Sequence, residues 1–310
     1  LAWWTPSPRA QRHPLQSSDG PMPGFLEYVF GKREDRSCPP RLEELKKEAQ
    51  GIMNPDIFDG ARFEFNKTLT QKFQLNHNIT LGSSQVPSAY EFGATFGDER
   101  VLLRGRTEMS GRVNGLVHAQ VSDRTLLRLQ TQMNPESLAA SSCEARADYK
   151  GHDFATGAAY VAGGLTLCHA MKSITPNLAV GGEGFYHLHK PLKGASLAAR
   201  AVWGPKEEHV ATVKAGSFGQ AELSYQRKVS DKVGLATELM YYHNQLCTFG
   251  LGYEFRLRQA TFKGVIQSDT TCSASLEERV SAGVNLLLSG QLNHKKKDYK
   301  FGFGLAIGTQ

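Results

Sequence analysis

The chain has 310 residues, 40% of them hydrophobic, 21% charged, with a formal net charge of +6. That length admits one large domain or two smaller ones, and no run approaches the 18 consecutive apolar residues of a membrane-spanning helix. The basic residues are dispersed and their one run, "HKKKDYK" at 294–300, is short, so the charge offers nucleic acid no concentrated footprint.

Residues 1–39 are rich in Pro, Ser, Gly and Arg without periodicity and read as a flexible extension. The N-terminus has no apolar core of a secretory signal peptide. Residues 40–60 form a helical segment and linker. Within it "RLEELKKEA", 41–49, places Leu42, Leu45 and Ala49 on one helical face behind Pro39-Pro40. So short a helix is marginal alone and must lean on something.

Residues 61–310 change to period two and keep it. "KFQLNHNITL" separates Phe73, Leu75, Ile79 and Leu81 from Lys72, Gln74, Asn76, Asn78 and Thr80. "CTFGLGYEF" separates Phe249, Leu251, Tyr253 and Phe255 from Thr248, Gly250, Gly252 and Glu254, and "VNLLLSGQL" alternates with Leu287 as its exception. About nineteen such segments of roughly 8–11 residues follow one another, near the length that a tilted strand needs to cross a bilayer. Aromatic residues close the apolar faces at Phe73, Tyr90, Tyr149, Tyr241 and Phe255, as interfacial girdles do. The pattern predicts an all-β, nineteen-stranded transmembrane barrel with a polar lumen. At a strand spacing of ~4.8 Å and a tilt of ~45°, its backbone diameter is about 40 Å, which leaves a ~20 Å pore for a helix but not for a folded domain.

The lumen parity carries Glu64, Glu91, Glu144, Asp148, Glu183, Glu222 and Glu254, a candidate acidic track for basic cargo. It also carries Arg104, Arg106, Arg128, Arg200, Lys214 and Lys263, so a mixed-charge wall explains the same acids. Glycines on this parity read as bare wall, and serine at Gly252 is expected to be mild. The five cysteines show no Cys-x-x-Cys spacing and read as free thiols. His187 and His189 lack further ligands at metal spacing. The sequons at Asn66 and Asn78 have no secretory context. "GFGLAIG" is not followed by the helix that a phosphate loop needs. No catalytic motif and no cofactor site is visible.

Three blocks carry a family resemblance: "CPPRLEELKKEAQGIMNPDIFDGARFEF" at 38–65, "ITPNLAVGGE" at 174–183 and "LSGQLNHKKKDYKFGFGLAIG" at 288–308. Together they resemble the central channel subunit of the mitochondrial outer-membrane protein translocase, the TOM complex, in its plant-type form. The resemblance implies a nineteen-stranded barrel with parallel first and last strands and an N-terminal helix in the lumen. It also implies a C-terminal sorting signal, filled here by Lys300, Gly302, Leu305 and Ile307. Implied partners are unfolded mitochondrial precursors, a receptor and small single-helix subunits, a second barrel copy and membrane lipid. The competing resemblance is to voltage-dependent anion channels, metabolite pores of related architecture. A soluble β-rich scaffold is a third reading.

Overall fold

The computed structural model describes residues 38–82, 87–135, 141–189, 191–204, 207–243 and 246–308. The expected flexible extension, up to residue 37, lies outside the described residues. The strands run in chain order as β1 (Gly60–Thr70), β2 (Phe73–Leu81), β3 (Ala89–Gly97), β4 (Val101–Glu108), β5 (Val113–Ser122) and β6 (Thr125–Met133). There follow β7 (Ser142–Lys150), β8 (Phe154–Val161), β9 (Leu165–Thr175), β10 (Leu178–His187), β11 (Lys193–Trp203), β12 (His209–Gly216) and β13 (Gln220–Ser230). The last are β14 (Val233–Tyr242), β15 (Leu246–Arg256), β16 (Ala260–Gln267), β17 (Thr271–Ser281), β18 (Val284–Asn293) and β19 (Asp298–Gly308).

Each strand pairs antiparallel with the next, and β1 pairs with β19 in parallel, so the 19-stranded sheet closes on itself. Closure follows from the two-faced strands. An open edge would leave a row of unpaired amides, which lipid cannot satisfy. The seam register sets Gly60 beside Gly302, Phe63 beside Leu305 and Phe65 beside Ile307.

The outer parity is apolar and uncovered. Leu103, Leu197, Phe249, Leu251, Phe301 and Phe303 are all exposed, whereas a water-soluble fold would hide such a surface. Charges on this parity are Lys67, Lys172, Lys193, Arg227 and Glu278, each near a strand end where a long side chain reaches the head groups.

Two rims bound the band. At the rim holding Gly308 lie the turns that follow odd-numbered strands, ringed by Tyr149, Phe154, Trp203 and Phe255. Bulges beside this rim, at Thr68/Thr70, Gln120/Ser122, Lys228/Ser230 and Arg279/Ser281, add local twist to the hairpins. The opposite rim carries Tyr90, Tyr160, Tyr186, Tyr241 and Tyr299 on its outer side.

The inside–outside assignment makes a direct prediction. Leu251→Arg, at the middle of β15 on the lipid face, should cost about 2–4 kcal/mol. Gln74→Arg on the inner face should cost about 0.5 kcal/mol or less. Urea unfolding of the barrel in liposomes measures both, and equal costs would invert the assignment.

Candidate functional site: the lumen wall and its N-terminal segment

The chain before β1 enters beside the rim that holds Gly308. Cys38 donates from Sγ to the Phe154 carbonyl at 3.6 Å and lines a cavity with Pro176, Asn177 and Glu207, all at that rim. From there a 3-10 turn (Leu42–Glu44) and a helix, α1 (Lys47–Met53), lie along the inner wall. The chain turns into β1 at the opposite rim through Gly60, whose φ of +89° a side chain would strain.

The single helix expected over 41–49 is thus divided and shifted. It breaks at Leu45 and Lys46, the latter at φ −99°, ψ 4°, and α1 continues to Met53. Packing accounts for the break, because the apolar stripe serves two seats. Leu42 and Leu45 bury against Met171, Ala179 and Ala198 of β9–β11. Ala49, Ile52 and Met53 bury against Ala236 and Val265 of β14 and β16. Burying a side chain of that size contributes about 1.5–3 kcal/mol, enough to hold a helix too short to persist alone.

The second seat needs bare backbone. A Cβ on Gly252 would stand 2.7 Å from the Met53 Sδ and 3.2 Å from Ile52, and one on Gly234 would stand 2.9 Å from the Ile52 Cδ1. These glycines are therefore a fitted seat for α1 rather than empty wall, and serine at Gly252 would require the Met53 side chain to move and Ile52 to give way slightly.

Ion pairs fasten the rest. Arg41 reaches Asp148 at 3.6 Å, and Glu43 meets Arg128 at 3.0 Å and also Arg146. Arg200 forks onto both Glu48 oxygens at 2.8 Å and also donates to the Leu45 carbonyl at 3.0 Å. Lys46 bridges Glu222 and Glu238, and Lys263 donates to the Gly51 carbonyl at 2.8 Å. Burial pushes the Glu48 carboxyl up, but the Arg200 fork, the Glu48 backbone N–H and the nearby Lys47 charge together outweigh it and hold the group below the ordinary carboxylate value.

All seven carboxylates singled out from the sequence stand on the inner parity, and each has a basic partner. Glu64 pairs with Arg62 at 3.0 Å, Glu91 with Arg106 at 3.3 Å, Glu144 with Arg146 at 2.6 Å and Glu183 with Lys214. Asp148 is covered, its side chain only 1% exposed, with Arg128 at 2.7 Å. Glu254 is 8% exposed beneath α1, beside Arg256 at 2.8 Å and Lys263 at 3.7 Å. Glu222 is taken by Lys46. What the sequence missed is the segment's contribution of counter-charges: Arg41 and Lys46 neutralise wall acids, while Glu43 and Glu48 neutralise wall arginines.

At the C-terminus, Lys300 and Gly302 face the lumen, and Leu305 and Ile307 face outward against β1 and β18. His189 donates its backbone N–H to the His187 Nδ1 at 3.1 Å, and among the described residues no group of three potential ligands assembles for a metal. Asn66 and Asn78 lie on the inner parity, Asn66 bonded to Asn76 at 2.6 Å.

The family model for eukaryotic porins matches residues 38–302. A protein described as the probable mitochondrial import receptor subunit TOM40-2 of Arabidopsis thaliana is 33% identical over 86% of this chain and 90% of its own length. The chain belongs to the eukaryotic porin family, in its TOM40 branch. Similar animal proteins of this branch include the TOM40 homolog of Xenopus laevis, 32% identical over 95% of this chain and 97% of its own. The TOM40 homolog 2 of Drosophila melanogaster is 29% identical over 94% and 91%.

In this TOM40-branch porin the glycine seat is testable. Gly252→Leu should expel Ile52 and Met53 and expose α1, so added protease cleaves near 47–54 in reconstituted barrels. Gly105→Leu, where a Cβ meets nothing within 4 Å, should leave that segment protected. Equal protection of both variants contradicts the seat.

Proposed function

We propose that this chain is the protein-conducting channel of the mitochondrial outer membrane. It passes unfolded, presequence-bearing precursors from cytosol to intermembrane space. The observation that carries the reading is near full-length similarity to proteins named mitochondrial import receptor subunits. A ~20 Å lumen, partly filled by the segment, suits an extended or helical chain rather than a folded domain. By the same reading its partners are a receptor subunit, small single-helix subunits on the barrel's exterior, a second copy of the barrel and lipid.

The proposal divides the seven carboxylates between those at the segment and those open to cargo. Asp148 and Glu222 hold the segment through Arg41 and Lys46, and Glu254 lies beneath it, paired with Arg256 and Lys263 of the wall. Glu64, Glu91, Glu144 and Glu183 keep 25–34% of their side chains exposed and form the track that a basic presequence meets. Their basic partners make each site weak, since exposed pairs are worth about 0.2–1 kcal/mol and salt screens them. Weak, exchangeable sites let a chain move on. Replacing these four glutamates together by Gln should weaken presequence block of single-channel current and lower cation preference, more so at low salt. A metabolite pore of the anion-channel type would show no presequence block in either form, and unchanged block in the variant would remove the track.

Orientation follows from the path of the chain. Residue 38 and Gly308 share a rim, which we assign to the intermembrane space, and the hairpin 293–298 then faces the cytosol. Its lysines lie where anionic head groups contribute about 1 kcal/mol each. A protease site placed in 293–298 should be cut in intact mitochondria; protection reverses the orientation. The sorting signal assigned to Lys300, Gly302, Leu305 and Ile307 belongs to the same proposal, as the last strand's pairing edge during insertion.

A further inference from the structure

The parallel β1–β19 contact is the seam at which the barrel closes, and parallel pairing is slightly weaker per residue than antiparallel. One residue before β1 touches all the strands that meet there. The Phe58 N–H donates to the Ser289 Oγ of β18 at 3.2 Å, and that hydroxyl donates back to the Phe58 carbonyl at 2.8 Å. Ser289 is buried and stands directly opposite Gly302 of β19. A Cβ on Gly302 would strike the Phe58 carbonyl, the Phe58 ring and the Ser289 hydroxyl together. One on Gly304 would stand 3.1 Å from the tip of the Phe58 ring and 3.0 Å from Leu287. On the β1 side, Arg62 lies over the same ring at 4.3 Å, held there by Asp56 at 3.3 Å and Glu64 at 3.0 Å. Leu287, the inward leucine that breaks the alternation of β18, lines this pocket with Asn54 and Asp56.

We infer that Phe58 is an internal latch for the seam, so that closure of β1 on β19 is coupled to the seating of Phe58 itself inside the lumen, independently of the seat of α1. The bare face of the last strand then has a role in the finished barrel. Gly302 and Gly304 are the socket of the latch, and Ser289 is its catch. Chain that threads the lumen brings Phe58 to the socket; chain left outside leaves the socket empty and the parallel pair without its inner support. This inference does not depend on what the pore carries.

Hydrogen exchange on the full chain reconstituted in liposomes tests it. Phe58→Ala and, separately, Ser289→Ala should speed exchange of the β1 and β19 amides at 60–66 and 302–308 by at least about tenfold. Exchange in the β13–β14 hairpin should stay unchanged. Ile52→Ala, which loosens the segment at its other seat, should leave the seam protected. Wild-type exchange at the seam in both latch variants overturns the inference, as does acceleration spread evenly around the barrel. Should Phe58→Ala fail to close at all while Ile52→Ala closes, coupling is upheld; equal failure of the two overturns it.

Discussion

Everything in this structure depends on the absence of water in the bilayer core, where a strand edge cannot be left unpaired. Strands with one apolar and one polar face can meet that demand only by closing into a ring. With 19 strands, closure makes the seam parallel, and β1 must start at the rim where β19 starts. The first described residue, Cys38, lies near the other rim, and the chain from there crosses the lumen to reach Gly60. The lumen segment is thus the route that an odd-stranded barrel leaves to its N-terminal chain.

Once inside, that chain needs a surface, and the inner wall provides it by leaving out side chains. Gly234 and Gly252 admit Ile52 and Met53, while Gly302 and Gly304 admit Phe58. Charge does the remaining work in both directions: Arg41 and Lys46 go to wall acids, and Glu43 and Glu48 go to wall arginines. Reciprocal pairing keeps the lumen from acquiring a strong field of either sign. That suits a conduit through which a charged chain must pass rather than stick.

Strand number, parity and the inward direction of all seven carboxylates were legible because period two is a local signal. A stretch such as "CTFGLGYEF" states its own faces without reference to the rest of the chain. What covers a face is not local. Asp148 and Glu91 look alike in sequence, yet one is sealed beneath Arg41 and Arg128 and the other stays half open. The contacts that distinguish them join residues far apart in the chain, and they decide which glycines are empty wall and which are sockets. Leu287 was the one visible trace: an apolar residue on a polar face needs company, and it lines one pocket with Phe58. The break of the helix at Lys46 likewise reflects two seats on the wall rather than any helix-breaking residue.

The central claim is that residues 38–60 lie fixed along the inner wall and cross the lumen. Ile52→Cys combined with Ala236→Cys, two positions of one buried cluster that leave the seat glycines bare, in a chain whose native cysteines are replaced by serine, tests it most directly. Mild oxidation of the reconstituted barrel should form an intramolecular disulfide rapidly and almost completely, read as a shift in gel mobility. Absence of that bond, or its formation only between two copies, would contradict a segment seated inside its own barrel.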